Sequence, residues 1–386
     1  MIYQSPIVVD NGSKYCRFGP SSEYQPTVYL RNCVAYQARK VDYDGWRHIR
    51  IEEGSPKTVA GGQGNFLAKI SPFYDLSYPV RSGMVEDWEM MTEVWSHCYS
   101  IKPELDSSEH PVLVTEVAKN PKGSREAALQ IFFEEFDVPA FYLSVSGVLA
   151  LYSTGRTNGL VIDSGFEKTE VIPVYEGYHI KHASKWMDLG GVDVTEHFGD
   201  LLTTSEISFI SFPRNSRIFE ELKEEYCYVS LDYQSEVEKY VDDSSLRSSY
   251  ELPDGTKIEI GVEKIEALEC FFKPEVIGNR ESGIHKICRK AVSSCDVDLR
   301  RNLYETICLC GGNTAFKGLA ARLNYELSRG LGINSVGVFY GASDHSINSA
   351  WLGGSILSLV NLNQPFWVER EDYDEAGPGI LHRMCF

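Results

Sequence analysis

No apolar run in the 386-residue chain reaches membrane-spanning length. The longest, around Phe141 to Tyr152, is broken by Ser144, Ser146 and Gly147, well short of the ~20 apolar residues that a span needs. A basic excess is missing too. With 37 Lys and Arg against 55 Asp and Glu the net charge is −18, which repels phosphate backbones and anionic lipid and argues against direct nucleic-acid or membrane binding. The ten Cys form no CxxC pair and no framework spacing, and Met1 to Pro6 carries no basic stretch or cleavage site. A soluble chain in a reducing compartment, cytosol or nucleus, is therefore expected. Cys308 and Cys310, two apart in Ile307-Cys308-Leu309-Cys310, read as small buried hydrophobes on a strand, and no zinc is expected.

What is present is ample material for a core. Hydrophobic residues make up 43% and charged residues 24%, a balance that supports a folded chain over a disordered one. The length exceeds what one compact core usually carries, so two or more lobes are expected. Two segments repeat: Ile7-Val8-Val9-Asp10-Asn11-Gly12-Ser13 and Leu160-Val161-Ile162-Asp163-Ser164-Gly165. Each is an apolar strand that ends in Asp and turns at Gly and a hydroxyl residue, which predicts two related α/β lobes with a cleft between them.

Between the repeats, Ser124 is the expected cap of a helix through Ala128, Ile131, Phe132 and Phe136. Val145, Val148, Leu149 and Tyr152 predict another helix, stopped near Gly155. Residues 32–77 have a different texture, with Gly54, Gly61, Gly62, Gly64, Pro56 and Pro72 and few apolar runs, and predict a small mobile subdomain. Ser244-Ser245 and Ser248-Ser249, followed by Leu252-Pro253-Asp254-Gly255, predict a loop and a hairpin turn.

Glycines and a hydroxyl after a strand let backbone N–H groups point at phosphate oxygens, and an Asp at each strand end, Asp10 and Asp163, can hold a hydrated Mg2+. A third element, Leu309-Cys310-Gly311-Gly312-Asn313-Thr314, ends a strand and opens the helix of Leu319, Leu323 and Leu327, where glycines permit close approach of a ligand. Three such turns in this order point to a nucleotide.

Asp10-Asn11-Gly12-Ser13, Arg156-Thr157-Asn158-Gly159, Asp163-Ser164-Gly165, Ser249-Tyr250-Glu251-Leu252-Pro253-Asp254-Gly255 and Trp351-Leu352-Gly353-Gly354-Ser355-Ile356-Leu357 resemble actin in sequence and order. So does the end of the chain, Gly377-Pro378-Gly379-Ile380-Leu381-His382-Arg383-Met384-Cys385-Phe386. The resemblance covers nearly the whole chain and is weakest over 32–77. It implies an α/β protein with the actin fold, also the sugar-kinase type, having two similar lobes and four subdomains around a nucleotide cleft. On this reading subdomain 1 comprises 1–31, 79–153 and 348–386, and subdomain 2 comprises 32–78. Subdomain 3 comprises 154–189 and 280–347, and subdomain 4 comprises 190–279.

The resemblance also implies a binding set for ATP or ADP with Mg2+: Asp10, Gly12, Ser13, Lys14, Arg17, Asp163, Gly165, Gly191, Lys223, Glu224, Gly311, Gly312, Asn313 and Phe316. Two members of this set, and three other positions that the resemblance places in the cleft, depart from actin. A first-loop Gly is Lys14, a second-loop Gly is Glu167, a cleft Arg is Glu220, a Tyr is Phe316 and a base-contacting Lys is Ile347. Lys14 has two readings, a pair with Glu167 or a phosphate ligand. The water-orienting glutamine is Ser146 and the histidine of the hydrolytic hairpin is Glu170. A pseudo-ATPase is thus expected, with Glu170 as a substitute base the alternative.

The filament elements have also drifted. The loop region with Asp44-Gly45-Trp46-Arg47-His48 and Gly61-Gly62-Gln63-Gly64 shares little with actin, and the plug carries Glu275 and Arg280, which argues against a homofilament. Tyr152, Ile356, Leu357 and Leu362 match an apolar groove that would take a partner's amphipathic helix. The expectation is a non-polymerising structural or adaptor subunit of a cytoplasmic cytoskeletal assembly, motor-associated or ciliary. A slow filament-forming ATPase and a subunit of a nuclear remodelling complex are the alternatives.

Overall fold

The computed structural model describes residues 3–37, 59–60, 74–205, 217–252, 255, 257–331, 336–341 and 346–385. The chain divides into two compact units, one of Met1–Ser153 with Ala350–Phe386, the other of Thr154–Ser349.

In the first unit, β1 (Ile7–Asn11) pairs antiparallel with β2 (Tyr15–Pro20), which pairs with β3 (Val28–Arg31). On its other side β1 runs parallel to β4 (Val112–Glu116), and β4 parallel to β5 (Ala140–Val145). Val368–Glu369 closes that edge. A parallel strand covered on both faces cannot alternate in polarity, and all five residues of Val-Leu-Val-Thr-Glu in β4 are buried. Helix α1 (Trp88–Ile101) starts where the Asp87 carboxylate accepts the Met90 N–H at 2.9 Å, and it buries Trp95 4.6 Å from Phe132 of α2 (Lys122–Glu134).

The expected cap at Ser124 is corrected. Helix α2 begins at Lys122, after Pro121, without a side-chain cap, so Ser124 lies inside its first turn. Proline lacks an N–H and holds φ near the helical value, so the chain can enter the helix from Pro121 itself. Phe136 lies beyond the end of α2 at Glu134. Helix α3 (Ser146–Tyr152) follows β5 directly, Val145 closing the strand, and Gly155 at φ +73° stands in the left-handed region after it.

The second unit repeats the plan. β6 (Gly159–Ser164) pairs antiparallel with β7 (Thr169–Tyr175) and parallel with β10 (Ile307–Cys310). β8 (Tyr178–His179) and β9 (Lys185–Met187) flank β7, and β11 (Val338–Tyr340) flanks β10. Its core is closed by α4 (Gly191–Ser205), α5 (Arg217–Tyr226), α6 (Glu263–Glu269), α7 (Ile284–Ser293) and α8 (Leu319–Leu331), through side chains such as Phe198, Leu222, Leu268 and Leu323.

The two hairpins share one register. Asp10 lies opposite Arg17 and Asp163 opposite Glu170. Their turns close alike, Gly12 N–H to Tyr15 O and Gly165 N–H to Lys168 O, both 2.9 Å. Position 14 therefore corresponds to 167, and 17 to 170.

One further expectation holds and two are refined. Cys308 and Cys310 are buried on β10, and burial pushes the Cys308 thiol up to about 12. The Gly311-Gly312 turn opens a short 3-10 segment, Gly312–Ala315, and α8 starts later at Leu319. Ser248 and Ser249 are strand residues, in Ser248–Glu251 against Lys257–Ile260, with Gly255 at φ +85° in the turn. Most of 32–77, including Asp44 to His48 and Gly61 to Gly64, lies outside the described residues, as do Pro253 and Asp254.

Candidate functional site

In the first hairpin, Asp10 is 6% exposed and both its oxygens are engaged. Arg17 Nη1 donates to Oδ2 and Thr115 Oγ1 to Oδ1, each at 2.9 Å. Thr115 reaches Asp10 because β4 lies parallel to β1, and its hydroxyl also accepts the Asn11 N–H at 3.0 Å. Arg17 stacks over Tyr29 on β3, 5.1 Å from the ring centre, and its Nε is buried without an acceptor among the described residues. The loop is braced by Asn32, whose side chain donates to Gly12 O and whose N–H donates to Lys14 O, both 2.9 Å. The Ser13 hydroxyl accepts the Gly83 N–H at 3.0 Å, and Lys14 Nζ lies 5.2 Å from the Tyr15 ring centre.

In the second hairpin, Asp163 is half-buried at the end of β6. The adjacent Ser164 hydroxyl lies 2.8 Å from that of Thr169, which donates to Leu189 O at 2.9 Å. The loop leans on the start of α4: Gly191 N–H donates to Gly165 O at 3.0 Å and Val192 N–H to Phe166 O at 2.8 Å. A Cβ on Gly190 would come within 2.4 Å of Phe166 O, so this contact admits only glycine. Asn313 donates to Ser164 Oγ at 3.2 Å and to Gly165 O. Gly311, at φ +86°, would place a Cβ 2.4 Å from Ser164 O. Among the described residues nothing lies within 4 Å of the Gly312 Cβ position.

Lys223 on α5 is 3% exposed and donates to Gly191 O and Thr195 Oγ1, both at 2.8 Å, with Phe316 6.0 Å away. Glu224, next to it, is exposed. The structure thus gathers Asp163, Gly165, Gly191, Lys223, Gly311, Gly312, Asn313 and Phe316 into one neighbourhood of the second unit. Asp10, Gly12, Ser13, Lys14 and Arg17 form the corresponding neighbourhood of the first. Lys223 and Asn313, expected to address a ligand, also hold backbone together.

Glu170 is 5% exposed and its Oε1 lies 3.1 Å from Lys168 Nζ. Trp186 on β9 flanks it in register, completing the row Asp163, Glu170, Trp186 across three strands. Asp193, near the start of α4, accepts the Gly190 N–H at 2.7 Å, and burial, with the charges of Glu167 and Asp188, raises its pKa. Sequence reasoning missed Thr115, Asn32, Gly190 and Lys168. Only the hydroxyl ending the apolar run of β4 and the glycine preceding Gly191 offered a local signal.

The residues fit a phosphorylated nucleotide with Mg2+. Within the first unit the buried Arg17 Nε has no acceptor among the described residues, and within the second no described atom lies within 4 Å of the Gly312 Cβ position; each is a feature a phosphate-binding turn can use, and Asp10 and Asp163, one in each unit, are oxygen ligands of the type Mg2+ takes through water. Of the residues expected to line an apolar groove, Tyr152 and Leu357 pack against Trp351 and Leu149, Leu362 is half-buried, and Ile356 is 40% exposed. Glu275 and Arg280 are exposed around the turn that closes at Gly278. The family model for actin matches residues 2–386, so the repeated hairpin-and-parallel-strand architecture is the actin fold and the chain belongs to the actin family.

Proposed function

We propose that this protein is a non-polymerising actin-related subunit, structural or adaptor in role, of a larger cytoskeletal assembly of motor-associated or ciliary type. It holds ADP or ATP with Mg2+ as a fixed ligand, without efficient hydrolysis. The observation that carries this reading is the engagement of Glu170. Bound nucleotide supplies a polarised terminal phosphate; the protein must supply a positioned water and an acceptor for its proton. Opposite Asp163 stands a carboxylate already bound to Lys168 at 3.1 Å, and the first residue of α3 is Ser146, whose hydroxyl is too short to replace a glutamine amide.

Exposed Glu275 and Arg280 would bring charge into a self-assembly contact, which is costly when such charges are buried unpaired. Exposed Ile356 beside half-buried Leu357 suits an amphipathic helix from a partner. The test is phosphate release from purified, nucleotide-saturated protein, with sedimentation in Mg2+ and salt. We expect no release above the protein-free background and no pellet that grows with concentration. Sustained release that disappears in Glu170→Gln would overturn the reading.

A further inference from the structure

Two buried side-chain nitrogen atoms of α7, His285 Nδ1 and Arg289 Nε, have no hydrogen-bond partner among the described residues. Positions 285 and 289 are one turn apart, so their side chains are neighbours on one face of the helix. Both address Glu326 of α8. Arg289 Nη2 donates to Glu326 O at 2.7 Å, and burial followed by the Glu326 charge are the strongest influences on His285. The imidazole is held in place, stacked on Phe272 with 6.0 Å between ring centres and only 8% exposed.

The charges around these two atoms do not balance. Arg322, whose guanidinium lies 4.7 Å from the centre of the same Phe272 ring, donates to both oxygens of Glu269 at 3.1 and 3.2 Å and to Glu326 Oε1 at 2.8 Å. Lys273 brings a second cation to Glu269 at 3.0 Å. Both carboxylates are thus met without Arg289, which pairs with no carboxylate among the described residues. Lys286, a further charge acting on His285, is also positive. An unmatched guanidinium with a buried, unsatisfied nitrogen is costly, and so is the imidazole nitrogen beside it. One small acceptor shared by the two would satisfy both. A water oxygen would meet the hydrogen bonds and leave the charge, whereas an anion offsets it as well.

We propose that Arg289 and His285 form a site for a small monovalent anion of the halide class, held by the Arg289 Nε–H and by His285 in the tautomer that carries its proton on Nδ1. Neither residue belongs to the nucleotide-binding set, so the proposal stands without that reading. Because both nitrogen atoms are buried, the site takes chloride and refuses a large anion such as gluconate, which separates it from the general screening that any salt exerts.

The experiment is amide hydrogen exchange across Ile284–Ser293 in the full-length protein, in sodium chloride and in sodium gluconate at equal ionic strength, paralleled by the chloride NMR linewidth. An ion that binds only the closed helix raises protection about 10-fold at about 150 mM chloride, for a Kd on the order of 15 mM. Arg289→Met keeps the stem but removes the charge and Nε; it should exchange alike in the two salts and lose the saturable part of the chloride broadening. His285→Phe keeps a ring on Phe272 and should cut the chloride response at least about threefold. Wild-type exchange indifferent to chloride would overturn the proposal and leave water as the shared acceptor. A response that persists unchanged in Arg289→Met would overturn it too, as would equal loss of protection in both salts, which marks Arg289 as a packing residue. Should Arg289→Met fail to fold, His285→Phe decides alone, and an undiminished chloride response there overturns the proposal.

Discussion

Replacing Lys168 by Met keeps most of the side-chain stem and removes the ammonium 3.1 Å from Glu170 Oε1. The gross attraction at that distance is about 5 kcal/mol at an effective dielectric of 20, most of it offset in the intact pair by desolvation of both ions. Removing one partner is different, because a carboxylate 5% exposed then stays in the protein without its cation; such truncations cost about 3–5 kcal/mol. Lys168 keeps 15% of its side chain in solvent, which places the expected loss at the lower end, about 3 kcal/mol. Lys168→Met with Glu170→Gln removes both charges and should cost about 1 kcal/mol beyond Glu170→Gln alone, a coupling of about 2 kcal/mol. With two compact units no single unfolding free energy describes the chain. The measurement is therefore amide hydrogen exchange across Gly159–Ser164 and Thr169–Tyr175, which reports the opening of this hairpin alone. If single and double variants lose the same protection, Glu170 is not held by Lys168, and the case against its acting as a base loses its footing.

Burial pushes His285, in the first turn of α7, down to about 4, against the pull of Glu326 and with Arg289, Lys286 and Arg322 acting in the same direction as burial. Its folded pKa lies below the ~6.5 of the unfolded chain, so unfolded protein takes the proton first. The stabilisation is complete above pH 6.5 and is lost as pH falls towards 4, about 1–2 kcal/mol after solvent screening. Exchange at the Ile284 N–H, which donates to Phe271 O at 2.8 Å, should quicken between pH 6.5 and 4.5 beyond the intrinsic pH effect, and His285→Gln should remove that excess. Gly311→Ala meets Ser164 O at 2.4 Å from a left-handed backbone, and should cost at least about 3 kcal/mol or abolish soluble expression; a melting temperature within 2 °C of wild type, about the effect of 1 kcal/mol, would refute the close approach. Thr115→Val keeps shape but removes a donor to Asp10 and an acceptor for Asn11, and should cost about 2–4 kcal/mol, read as faster exchange at the Asn11 N–H.

The repeated hairpins were legible because their determinants are local. A β-branched run, an Asp and a glycine turn lie within eight residues, so Asp10 with Gly12 and Asp163 with Gly165 announce themselves. The start of α2 was misread for a related reason: Ser124 satisfies the rule for a cap, but Pro121 three residues earlier already sets helical φ. Thr115 and Asn32 could not be found, since their partners lie about 20 to 105 residues away and the hydrogen bonds exist only once β4 and β3 take their places. Lys223 illustrates the opposite case, a residue found by resemblance whose contacts to Gly191 and Thr195 no spacing implied.

By itself the amino-acid sequence determined the acidic charge, the doubled strand-turn pattern and the membership in the actin family, because each is a matter of residue identity and local pattern. Only the tertiary structure decided that Asp10 is bound by both Arg17 and Thr115, that Lys168 holds Glu170, and that positions 14 and 167 are equivalents of opposite charge. The reason is register: which side chains meet is set by how strands pair, and pairing between distant segments is fixed by the burial of both faces of the sheet.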